Sequence, residues 1–197
     1  MLLTAMPVHS ISYIQLDGGL LLIGNTEQEA APHPLLPTVG LTLPLISGPL
    51  FYTETGFLLF GTYYQYENQR ATPVELENQG FLVIAALIDA RLGLRFSISR
   101  IFKLGGSAGL GLLLRAPIPL FPDARSNVGP TLSYFYGFRF LYPETELFAQ
   151  IAVSKDFDLK LSFRAYYPIF HLWDGENLPF FDQFMVSALV GIIYYIR

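Results

Sequence analysis

The stretch Leu82-Val83-Ile84-Ala85-Ala86-Leu87-Ile88-Asp89-Ala90-Arg91-Leu92-Gly93-Leu94-Arg95-Phe96-Ser97-Ile98-Ser99 decides the fold. Its even-numbered residues, from Leu82 to Ile98, are all apolar. Its odd-numbered residues turn polar after Leu87, as Asp89, Arg91, Gly93, Arg95, Ser97 and Ser99. A strand points successive side chains to opposite faces, so this pattern gathers every charge on one side. A helix would scatter the same charges around its circumference.

The period of two recurs along the chain. Val39, Leu41, Leu43 and Leu45 alternate with Thr38, Gly40, Thr42 and Pro44. Leu132, Tyr134, Tyr136, Phe138 and Phe140 alternate with Thr131, Ser133, Phe135, Gly137 and Arg139. Leu159, Leu161, Phe163 and Ala165 alternate with Lys160, Ser162, Arg164 and Tyr166. The last row is Val186, Ala188, Val190, Ile192, Tyr194 and Ile196, and a weaker first strand covers about Ile11 to Gly24.

Composition says which medium the apolar rows face. Of 197 residues, 52% are hydrophobic and 14% charged, and mean hydropathy is +0.40. A soluble domain carries about 25% charged residues, so much of this surface is not built for water. The best uninterrupted apolar run, Phe81 to Ile88, is far too short for a spanning helix. Backbone inside lipid is satisfied only in helices and closed barrels. The chain therefore reads as all-β: a single antiparallel up-and-down transmembrane β-barrel filling residues 1–197 as one domain. The net charge of -4, with no basic stripe, argues against nucleic acid. The absence of Cys excludes disulfides and thiolate metal sites. Met1 to Met6 is apolar but lacks the basic region and the length of a signal peptide.

The connections fall into two classes. Ser47-Gly48-Pro49, Arg100 to Lys103 and Lys155 to Asp158 are tight. Asn25 to Pro37, Glu67 to Gln79, Ala116 to Pro130 and Pro168 to Asp182 are long and polar or Pro-rich. Short turns at one end and long loops at the other mark outer-membrane barrels. Ile98 to Leu104 echoes Val153 to Leu159, which sets both turns at the short-turn end. Eight strands result if Thr131 to Ser154 is one long strand. Its apolar row changes phase near Pro143-Glu144-Thr145-Glu146, which a β-bulge explains. A true turn there gives nine, and a further split gives ten; even counts favour eight.

The closing segment Gly191-Ile192-Ile193-Tyr194-Tyr195-Ile196-Arg197 resembles the terminal strand of outer-membrane barrels, with Arg197 in place of the usual last aromatic. In length and layout the chain is similar to small eight-stranded OmpW-like and OmpA-like barrels, including those of spirochaetes. The resemblance implies residence among bacterial outer-membrane lipid and insertion by the barrel-assembly machinery. An OmpW-like barrel would also bind or pass small hydrophobic molecules, a transport role.

By phase, Asp17, Glu54, Asp89, Arg91, Arg95, Arg115, Arg139, Asp158, Lys160 and Arg164 face the lumen. They read as an ion-pair network filling a narrow barrel, or as a cationic constriction for anions. Near the long-loop ends, strands turn apolar on both faces. Leu21, Ile23, Leu58, Phe60 and Leu113, with the loop residues Phe170 and Trp173, form a candidate apolar ligand pocket. The same composition fits loops packed into the mouth. His9, His33 and His171 read as solvated loop residues; His171 with Asp174 lacks a Ser at a telling spacing. No metal ligand set, phosphate loop or nucleophile motif appears, so neither enzyme nor cofactor is expected.

Three functions compete. One is a narrow channel or binder for small hydrophobic molecules. The second is a plugged structural barrel with acidic surface loops (Glu67, Glu75, Glu77, Asp174, Glu176). The third is a soluble lipocalin-like lipid binder, with the apolar rows turned inward.

Overall fold

The computed structural model describes residues 12–25, 33–74, 80–173, 179 and 181–196. Nine strands occur among them: β1 Ser12–Ile23, β2 Leu35–Ser47, β3 Phe51–Glu67, β4 Arg70–Pro73, β5 Phe81–Ser97, β6 Phe102–Pro119, β7 Leu141–Ala152, β8 Phe157–Tyr166 and β9 Met185–Ile196. Eight of them close into an antiparallel barrel, sealed by β1 against β9 and β2 against β3. The ninth, β4, folds back on the outer end of β3 as a two-residue hairpin. Its turn residues Asn68 and Gln69 both have positive φ (50° and 63°), as a type I′ turn demands.

Closure fixes the geometry. Paired residues lead from Leu104 through Ala149, Leu161, Val190, Gly18, Val39, Leu59 and Ala86 back to β6 at Leu114, ten residues from the start. A shear of this size over eight strands tilts them by roughly 35–45°. The β5–β6 and β7–β8 turns share one chemistry, which explains the sequence echo. Ile98 and Ser99 donate to the Phe102 carbonyl, as Val153 and Ser154 do to that of Phe157. Ser99 and Ser154 each accept two backbone N–H bonds across their turns.

The apolar rows face outward and the polar rows inward. Leu92, Val39, Leu147, Phe163 and Val190 are well exposed on the wall, while Asp89, Arg91, Lys160 and Arg164 are buried in the lumen. This is the inverse of a soluble lipid-binding barrel, so the lipocalin-like reading falls.

Two expectations need correction. Thr131 to Phe140 is not a strand: Val128–Tyr136 is an α-helix, α1, entered through a 3-10 turn at Pro122–Asn127. Thr131, Tyr134 and Phe135 form its buried face, a spacing of i, i+3 and i+4. The ladder between β6 and β7 begins only at Leu112 and Leu141, and residues 131–140 do not extend it along β6. The second correction follows. Pro143 to Glu146 lie in regular strand and need no bulge, because the apparent change of phase was the change from helix to strand. The real register shift lies in β2, between Pro44 and Ile46.

Candidate functional site

The lumen is filled in three levels. At the short-turn end, the Asp158 carboxylate accepts a bond from the Tyr195 hydroxyl at 2.6 Å and one from Gln150, with Lys103 at 3.4 Å. Arg95 reaches down to the Ser47 hydroxyl and the Gly48 carbonyl, 3.4 and 3.1 Å away.

The middle level is a charge cluster. Strand alternation puts Asp89 with Arg91, Glu144 with Glu146, and Lys160 with Arg164 on inner faces, and the register sets them opposite one another. Glu54 pairs directly across from Arg91, and Glu146 across from Arg164. Glu146 is the hub. Its Oε1 lies 3.2 Å from Arg91, 3.1 Å from Lys160 and 3.1 Å from Arg164, and its Oε2 accepts a bond from Ser107. Arg91 also meets Asp89 at 3.0 Å, Glu54 at 3.6 Å and Glu144 at 3.6 Å. Arg164 lies 3.5 Å from Asp17 and 3.7 Å from Asp89. Glu54 further accepts a hydrogen bond from Tyr13. Five carboxylates thus surround three cations, all buried. Pairing makes such burial tolerable. Two glycines make room: a Cβ at Gly191 would sit 2.6 Å from the Asp17 carboxylate, and one at Gly109 2.7 Å from Arg91.

Above the charges the lumen is apolar. Leu21, Ile23, Leu58, Phe60, Leu113 and Phe170 pack in one buried cluster with Ala85, Leu87, Tyr142, Tyr166, Met185 and Leu189. Phe170 comes from a 3-10 turn, Ile169–Leu172, in the β8–β9 loop; it is fully buried and meets the Tyr142 ring edge-on at 5.6 Å. A second cluster at the mouth joins Tyr64, Ala71, Phe81 and Val83 to Tyr134 and Phe135 of α1. Arg115 ties α1 to β6: its guanidinium lies over the Phe135 ring at 4.2 Å and donates to the Arg139 carbonyl at 2.7 Å. The Tyr136 hydroxyl bonds both backbone groups of Arg115.

Of the ten charges assigned to the lumen, Asp17, Glu54, Asp89, Arg91, Lys160 and Arg164 come together in the middle level, while Arg115 sits at the mouth beside α1. Arg139 follows α1 rather than lying on a strand, and stacks over Tyr134 at 4.2 Å. Trp173 is 48% exposed and outside the apolar cluster. Arg95 and Asp158 face inward but belong to the short-turn level. Glu144 and Glu146 were missed because Pro143-Glu144-Thr145-Glu146 reads as a break; the i, i+2 spacing of the two acids was the signal. His33 Nδ1 accepts the Asn25 N–H at 3.0 Å, and His171 Nε2 lies 2.8 Å from the Asp182 carbonyl. His9, Asp174, Glu75, Glu77 and Glu176 lie outside the described residues. Among the described residues no His, Asp and Glu group has the arrangement of a metal site.

No family model matches the chain, and no curated protein matches it. Solved structures do. The crystal structure of Neisserial surface protein A is similar over 94% of this chain and 97% of that one, with a TM-score of 0.60 at 10% identity. The outer membrane protein OprG from Pseudomonas aeruginosa is similar over 98% and 100%, with a TM-score of 0.57 at 9% identity. The chain has the fold of the eight-stranded transmembrane β-barrels. At these identities the likeness speaks for the fold alone. It agrees with the outward apolar rows and with the division into tight turns and long loops.

Proposed function

We propose that this barrel resides in a bacterial outer membrane, conducts nothing, and serves as a rigid scaffold for a surface on the long-loop side. The observation that carries the reading is the filled lumen. A solute crossing it would have to part the Arg91–Glu146–Arg164 cluster and then the packed Phe170 and Phe135 layers. Breaking buried ion pairs one partner at a time costs several kcal/mol each, about 3–5. An eight-stranded wall leaves space for side chains and little else. The scaffold presents the β3–β4 hairpin and α1 above the membrane. Outer-membrane lipid and the barrel-assembly machinery are its proposed partners.

A second reading keeps a small hydrophobic ligand. It is favoured by Phe170, a loop residue occupying the centre of the apolar cluster. A guest would take the place of that ring from the long-loop side, without passing through the charges below.

Single-channel recording in planar bilayers tests the first reading, and ligand binding tests the second. The scaffold reading expects no conductance steps from the wild-type barrel, and steady steps overturn it. Binding of an apolar fluorophore that is strengthened by Phe170→Ala would favour the second reading.

A further inference from the structure

The wall of the barrel is uneven. β6 runs on from Leu113 to Pro119, seven residues past its last partner on β7. Its outward row stays apolar along that extension, with Leu114 and Ile118 exposed, and Leu120 just past its end is exposed too. β7, β8 and β9 give way to loops beyond Leu141, Tyr166 and Met185. Those loops expose large apolar groups: Phe138 is 70% exposed, Leu172 78%, Trp173 48% and Phe181 66%. Phe138 does so at a φ of 63°, a strained setting for a bulky side chain. Across the barrel, the tip of β3–β4 is Glu67, Asn68 and Gln69, polar and exposed.

Just beyond the ends of β8 and β9, the half-buried Tyr167 and Phe184 keep the alternation of the outward rows. The Tyr167 and Phe184 rings meet at 5.4 Å, and Phe184 meets Phe181 at 6.4 Å. Over β7, Phe138 stacks on Phe140 at 6.5 Å. Among the described residues, the outward apolar band therefore continues into the loops on this arc through Phe140, Tyr167 and Phe184.

We propose that Phe138, Leu172, Trp173 and Phe181, the exposed apolar groups of the loops over β7, β8 and β9, reach into the lipid leaflet on the long-loop side, in contact with acyl chains and ester groups. The proposal rests on the transmembrane reading. It makes the collar of loops a one-sided membrane anchor that leaves the β3–β4 side to water. A Trp at such a depth matches the aromatic preference for the interface.

Trp173 is the only tryptophan in the chain, so its fluorescence reports the loop directly. The barrel is reconstituted into phosphatidylcholine vesicles whose acyl chains carry bromine either near the ester end or at mid-chain. A control, Trp173→Phe with Phe163→Trp, moves the fluorophore to a strand position facing lipid. The proposal expects about a twofold loss of Trp173 emission with ester-end bromine, and weak quenching by aqueous iodide, as at a membrane interface. Strong iodide quenching without bromolipid quenching overturns it. So does shielding from both, which would mean that protein, another copy or a soluble partner, covers the loop. If the control also escapes bromolipid, the transmembrane reading itself fails.

Discussion

Glu146→Gln should destabilise the barrel far more than Glu144→Gln, although the two acids are two residues apart on one strand and equally buried. Glu146 holds three cations at 3.1–3.2 Å and a serine hydroxyl. Glu144 has one cation, at 3.6 Å, and neither of its carboxylate oxygens has a hydrogen-bond partner. Glutamine keeps the volume and loses the charge. Each charge-assisted contact given up costs roughly 1 kcal/mol or more, so three sum to about 3 kcal/mol for Glu146, within the range for breaking buried pairs. At Glu144 the lost attraction to Arg91 is offset by less repulsion in a cluster rich in carboxylates, so the change should stay within about 0.5 kcal/mol of zero. Urea unfolding of the reconstituted barrel, followed by Trp173 emission and by gel mobility of unheated samples, reads the difference. With a slope of about 1–3 kcal/mol per molar urea, the Glu146 variant should lose roughly 1–3 M in midpoint. Equal midpoints for the two variants, or a larger loss at Glu144, would refute the assignment of Glu146 as the hub.

Other substitutions test the remaining levels. Phe170→Ala should cost about 3–5 kcal/mol in the same unfolding assay, as for other fully buried aromatics. Leu92→Arg, on the exposed outer row, should cost about 2–4 kcal/mol in vesicles, because lipid rather than water receives the charge. Tyr136→Phe removes the hydroxyl that bonds both backbone groups of Arg115. Faster amide exchange around Arg115, with little change in global stability, is the expected result. Gly109→Val should abolish refolding to the fast-migrating gel form, since a Cβ there would lie 2.3 Å from the Ala90 carbonyl oxygen.

The sequence by itself determined what each strand shows to each side. Alternation is a local property, so Asp89, Arg91, Lys160 and Arg164 could be assigned to the lumen from their neighbours alone, and low charge chose lipid for the opposite face. Eight barrel strands were favoured by the rule of even counts, though with a mistaken strand in the 131–154 region. There the aromatic run Tyr134-Phe135-Tyr136 suits a strand or a helix equally, and burial of Thr131, Tyr134 and Phe135 on one face, the last two in the cluster at the mouth, took the place of pairing along β6. Tertiary structure alone decided which charges meet. The ten-residue shear carries Glu146 of β7 to Arg91 of β5, a contact that a separation of 55 residues does not announce. It also decided that Phe170 would be buried in the lumen while Trp173, three residues on, stays outside. A loop's local sequence carries no period to aim it, so its side chains point where the closed wall leaves room.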